Sequence, residues 1–197
     1  MALAAERYEH HRKQLGELLQ AAALLIKAHE TGLYDEAGEL GTQASHLWEL
    51  SQRHRLVVGS NNAAAATLFS ACNDVFQPLY ERILKLDETL AEIRNAVSDF
   101  EVQCRELQAE QNAPINEALA KCLAWLLQTQ SVLQSQAKYL ELYARGLTPT
   151  LVQQATVDQF KRELQLSEQQ RDRILLGLAL AEQRTASVHL LSELVAS

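Results

Sequence analysis

Glycine and proline, the residues that punctuate turns, number only seven and three in 197 residues. A chain with so few breakers divides into few and long elements. Aromatic residues make up just 6%, and strand-forming residues are thin, which leaves little material for a sheet. Leu, Ala, Gln and Glu dominate instead, and these lose little side-chain freedom in a helix. The composition is that of long helices or coiled coils.

Cysteine is also scarce. Cys72, Cys104 and Cys122 stand far apart without a Cys-x-x-Cys pair. An odd, sparse count argues against a disulfide framework and for a reducing compartment. No apolar run reaches the ~18 residues needed for a transmembrane helix, so integral membrane association is not expected. The segment Met1–Arg7 lacks the basic and apolar regions of a secretory signal. The cytoplasm, or a nucleus reached with a partner, is the expected location.

Clustered positive charge is missing as well. Net charge is −7, and no run of five Lys or Arg occurs. The densest basic spots are His10-His11-Arg12-Lys13 and Arg53-His54-Arg55. A nucleic-acid backbone needs several cations on one face to release its counterions, so nucleic acid is not an expected partner. A polybasic face for anionic lipid is likewise absent from the linear sequence, although folding can still assemble a local patch.

Signatures of chemistry are absent too. There is no Gly-x-Ser-x-Gly turn, P-loop or Gly-x-Gly-x-x-Gly loop. No Glu-x-x-His occurs, the pattern that puts carboxylate and imidazole on one helix face in di-iron bundles. His46-x-x-Glu49 has the reverse order and no second copy. No catalytic residue, cofactor or metal site is expected, and the three cysteines read as small buried hydrophobes. His29 and His54 read as core-edge histidines with one ring nitrogen hydrogen-bonded.

What the chain does have is apolar periodicity. The breakers mark five helical stretches: about Leu3–Glu30, Tyr34–Val58, Asn62–Glu110, Pro114–Gly146, and Thr148–Pro149 onward to Val195. Pro114 and Pro149 suit first-turn positions. Ser167 is placed to cap a final segment after a pause at Leu166. The third stretch carries Leu68, Cys72, Val75, Leu79, Ile83, Leu86, Leu90, Ile93, Val97, Phe100, Cys104 and Leu107 at steps of three and four. The step from Leu79 to Ile83 repeats a four, and Pro78 sits beside it, which predicts a kink or break. A helix of about 45 residues would run roughly 65 Å at 1.5 Å per residue, longer than a compact globule is wide.

The fourth stripe is Ile115, Leu119, Cys122, Leu126, Thr129, Leu133, Gln136, Leu140 and Tyr143; the second is Leu33, Ala37, Leu40, Ala44, Leu47, Ser51, His54 and Val58. A period near 3.5 is that of helices packed knobs-into-holes. Thr129 and Gln136 interrupt the stripe either as register-setting polar residues or at a partly exposed end. Trp48 and Trp125 lie beside stripes and read as core before interface anchors. The two connections Gly59–Ala63 and Leu147–Leu151 read as plain connectors before contact sites.

The run Gly32-Leu33-Tyr34-Asp35-Glu36-Ala37 resembles the start of the second helix in tetratricopeptide and microtubule-interacting-and-trafficking hairpins, matching at Gly32, Tyr34, Glu36 and Ala37. The resemblance implies a helical hairpin turning near Thr31–Gly32. No second copy follows at the tetratricopeptide period, and no function is carried over.

The expected fold is all-α: an elongated helical bundle with long antiparallel helices and coiled-coil-like packing. It forms a single all-helical unit, 1–197, with room for two sections, 1–111 and 114–197. The expected function is that of a non-enzymatic scaffold or interaction subunit of a multi-protein cytosolic assembly, with other helical proteins as partners in a hetero-complex or homo-oligomer. The alternative is a chaperone or adaptor that clamps a client's amphipathic helix. Leu86, Leu90, Ile93, Val97 and Phe100 are the candidate seam for helix packing or a partner.

Overall fold

A computed structural model describes residues 2–111 and 117–195, with side chains described over 10–109 and 117–183. Among these residues every regular element is a helix: α1 (Ala2–Val57), α2 (Asn62–Gln111), α3 (Glu117–Gly146), α4 (Gln154–Glu163) and α5 (Glu168–Val195). The chain is an all-α helical bundle. Pro114, expected at a helix start, lies outside the described residues.

The helix boundaries depart from the sequence expectation in three places. First, no turn forms at Thr31–Gly32, and α1 runs through it without the hairpin that the resemblance implied. The buried positions Leu19, Ala22, Ile26, His29, Leu33, Ala37, Leu40, Ala44, Leu47 and Ser51 keep steps of three and four across Gly32. A helical glycine costs about 1 kcal/mol relative to Ala. Burial of a single Leu returns about 1.5–3 kcal/mol, so the stripe outweighs the glycine.

Second, α2 passes Pro78 without a break. Pro78 and Asp74, the residue four before it, are both exposed. Water can therefore solvate the Asp74 carbonyl that proline's missing N–H leaves free. Leu79 and Ile83, both buried, hold the helix on its inner side.

Third, Thr148 and Pro149 do not open a helix. Thr148 Oγ1 donates to the Arg145 carbonyl at 2.7 Å, closing α3. The N–H groups of Leu151 and Val152 then donate to the Thr148 carbonyl, and α4 begins only at Gln154. Both ends of this connection are anchored, because Leu147 and Val152 are fully buried.

Other boundaries fall as expected. Gly59 ends the first hairpin arm at φ 85°, a left-handed conformation that favours glycine after a helix. Asn61 Oδ1 accepts from the Ala64 N–H at 3.0 Å, capping α2. Ser167 caps α5 in a reciprocal box: its Oγ accepts from the Gln170 N–H at 3.3 Å, and its own N–H donates to Gln170 Oε1 at 3.2 Å.

The chain packs as two units. The first comprises Met1–Ala28, Thr89–Val132 and Ser167–Ser197, and the second His29–Glu88 and Leu133–Leu166. α1, α2 and α3 each contribute to both. In the second unit α1 and α2 run antiparallel, as the contacts Glu39 to Arg82 and His54 to Phe69 require. α4 packs against α1, where Gly41 faces the Lys161 and Leu164 side chains. Its core includes Leu40, Leu47, Leu79, Leu140, Leu147 and Phe160. In the first unit the buried residues include Leu19, Ile26, Ile93, Phe100, Leu126 and Ile174.

Candidate interaction surfaces

The expected seam lies inside the protein. Leu90, Ile93, Val97 and Phe100 are each at most 1% exposed and belong to the first unit. Leu86 is half-buried against the core of the second unit. Their spacing directs them inward along α2, so they form packing between this chain's own helices.

The polar residues on the stripes are buried too. Thr129 and Gln136 lie within the bundle rather than at an exposed end. Gln136 Nε2 donates to the Glu163 carbonyl at 2.9 Å, which satisfies an orphan acceptor at the end of α4. Its Oε1 is buried without a partner, as is Ser51 Oγ. His29 is buried, and desolvation lowers its pKa below 6.5, so it is neutral at physiological pH.

The cysteines are free and buried. Burial, with Cys122 and Glu101 nearby, pushes the Cys104 thiol up to about 11, and burial raises Cys72. Neither has the depressed pKa of a reactive thiol. Among the described residues no group of three or more His, Cys, Asp or Glu is disposed to hold a metal ion, and no helix is long and apolar enough to cross a membrane.

Trp125 is fixed by Gly177. A Cβ built on Gly177 would lie 1.9 Å from Trp125 Nε1 and 2.1 Å from Cε2, so the indole rests directly on the backbone of α5. Its N–H is buried without a partner. This close approach joins α3 to α5 within the first unit. A glycine inside an otherwise helical run is the one local sign of this pairing.

α5 has a second apolar face. Ile174, Gly177, Leu178 and Ala181 point into the first unit, while Leu175, Leu176 and Leu180 are 44%, 64% and 48% exposed. A helix that uses one stripe for its own core ordinarily shows charge on the other. α5 instead shows leucine. These residues were absent from the candidate seam, although the run Ile174–Ala181 carries the signal: Gly177 apart, it is apolar throughout, so no rotation of the helix hides all of it.

A third feature lies on α3 in the second unit. Ser135, Lys138, Tyr139, Glu141, Leu142 and Arg145 line an open depression of about 480 Å³. Tyr139 stacks on Tyr143 at 6.5 Å, and Leu142 is 59% exposed. The Arg145 guanidinium is held by the Tyr80 hydroxyl and by Glu141, both of which favour its charged form.

Comparison of the chain with known protein families, with curated proteins and with solved structures finds no match.

Proposed function

We propose that this chain is a non-enzymatic helical interaction subunit of a multi-protein cytosolic assembly of the cytoskeletal, tethering, trafficking or kinetochore type, and that it acts by packing helices against helical partners. The observation that carries this reading is the outward leucine face of α5. Leu176 and Leu180 are one turn apart, which is the anchor spacing an amphipathic helix offers a partner helix. A contiguous exposed apolar strip is costly to leave in water and marks an interaction site. The buried seam on α2 is used internally, whereas Leu175, Leu176 and Leu180 of α5 stay exposed and available to another chain.

The test replaces the face without weakening the helix. Leu176→Glu with Leu180→Lys keeps good helix formers and adds a favourable pair four residues apart. Both positions are exposed, so melting should change little, within about 0.5 kcal/mol. In extracts of its own cells, the native chain should elute in a larger species with stoichiometric partners, and the variant should elute free. A native chain that itself elutes free would overturn the proposal.

A second reading is a chaperone or adaptor that clamps a client's amphipathic helix. The open depression on α3, with its Tyr139 and Leu142 rim, favours it. Under that reading Leu142→Glu abolishes client binding and the α5 variant leaves it intact.

A further inference from the structure

The two most exposed large apolar side chains among the described residues are Leu56, at 81%, and Leu151, at 70%. Leu56 lies in the last turn of α1 and Leu151 on the turn between α3 and α4, and the two meet at one end of the second unit. The Arg55 guanidinium donates to the Val152 carbonyl at 2.8 Å and to the Thr150 carbonyl at 3.5 Å, which puts the last turn of α1 beside the 147–153 turn. The His54 ring lies 6.0 Å from that of Phe69, which brings in the first turns of α2. Val58 and Phe69 add exposures of 56% and 43% at the same end.

The charge at this end is opposite to that of the chain. From Leu50 to Asn73 and from Gly146 to Val157 there is no Asp or Glu, although the chain holds 25 acidic residues against 18 Lys and Arg. Arg53 is exposed there, as is Arg55. Two protruding leucines are thus set on an acid-free, positively charged tip.

We propose that this tip docks onto an anionic lipid surface, with Leu56 and Leu151 entering the headgroup region and Arg53 and Arg55 facing lipid phosphates. Three arguments select that occupant. A fluid interface accepts separate protruding leucines without preformed pockets, which a protein partner must supply. Acidic headgroups complement the arginines and meet no carboxylate on the tip. A second copy docked tip to tip about a two-fold axis would set Arg53 and Arg55 against their own equivalents. The surface is separate from the α5 face and stands whether or not α5 binds a partner.

The test is sedimentation of the full chain with vesicles of equal parts phosphatidylcholine and phosphatidylserine, beside vesicles of phosphatidylcholine alone. The chain should pellet with the mixed vesicles, and less so in raised salt. Arg53→Gln should weaken that binding by about fivefold. Leu56→Ser with Leu151→Ser should weaken it by about tenfold or more. Circular dichroism should be unchanged in both variants, because all three side chains project into solvent. A chain that stays in the supernatant with both vesicles overturns the proposal, as does binding that survives the double leucine variant. Self-association that the double variant dissolves, without vesicle binding, would assign the tip to a protein contact and equally overturn it.

Discussion

Leu90→Ala measures how far the α2 stripe is this chain's own core. Leu90 is 1% exposed, and the next stripe residues, Ile93, Val97 and Phe100, are no more exposed than that. Truncation removes three carbons whose contacts are all with packed neighbours. The loss has two parts: the transfer free energy of the deleted groups, and a cavity that close-packed surroundings fill only in part. Rigid neighbours on the same stripe place the cost at about 3–4 kcal/mol, within the range of buried Leu→Ala changes. Helix propensity shifts in favour of Ala by only a few tenths of a kcal/mol, too little to offset it. The assay is urea denaturation followed by far-ultraviolet circular dichroism, with the slope compared between variants so that the midpoint shift reports stability alone. Leu176→Ala, on the outer face of α5, serves as the matched control and should cost less than about 0.5 kcal/mol. If Leu90→Ala costs under about 1 kcal/mol while Leu176→Ala costs more, the two leucines have been assigned to the wrong sides of the bundle.

Gly177→Ala should displace the Trp125 indole from the α5 backbone and red-shift tryptophan emission in a Trp48→Phe background; Gly38→Ala, where the added methyl meets nothing within 4 Å, should leave emission unchanged. An unshifted Gly177→Ala spectrum would mean that the indole does not rest on that glycine. Ser167→Ala removes one arm of the box that caps α5 and should cost about 1 kcal/mol in denaturant midpoint experiments, with Ser167→Asp recovering most of it. His29 has its folded pKa lowered by burial from 6.5. Above that value both folded and unfolded states are neutral there, and the group makes no pH-dependent contribution. As pH falls through 6.5 the unfolded chain takes up the proton first, so stability declines until the folded pKa is passed. A stability profile for His29→Leu that is no flatter than the parent's in this window would refute the assignment.

The all-helical fold was legible because its signal is distributed over whole stripes. Leu79, Leu90, Ile93, Leu126 and Leu140 could each be placed on an inner face by spacing alone, and all are buried. What spacing cannot weigh is the cost of a breaker against the burial on either side of it. Gly32 and Pro78 looked like ends because each is unfavourable locally; the helix continues because Leu33, Leu40, Leu79 and Ile83 repay that cost within a turn or two. The Thr148–Pro149 turn misled for the converse reason. Its residues suit a helix start, but the burial of Leu147 and Val152 and the reach of Arg55 from α1 fix a different path, and these are tertiary facts. Ser167 was readable because a capping box is local, with both partners inside four residues. The leucines of α5 are visible in the sequence as a run too apolar to bury on one face, but which of them stay outside, and the meeting of Leu56 with Leu151, depend on packing. A stripe reveals that a residue is apolar, and only packing shows which apolar residues are left over.

The leucine face of α5 is proposed to be covered by another helix. The most direct measurement is the mass of the chain isolated from extracts of its own cells, by light scattering on a sizing column, beside the Leu176→Glu/Leu180→Lys variant. The parent chain should run in a larger complex, while the variant runs as a free helical chain with the same melting temperature. A parent chain that runs free, indistinguishable from the variant, would contradict the proposal.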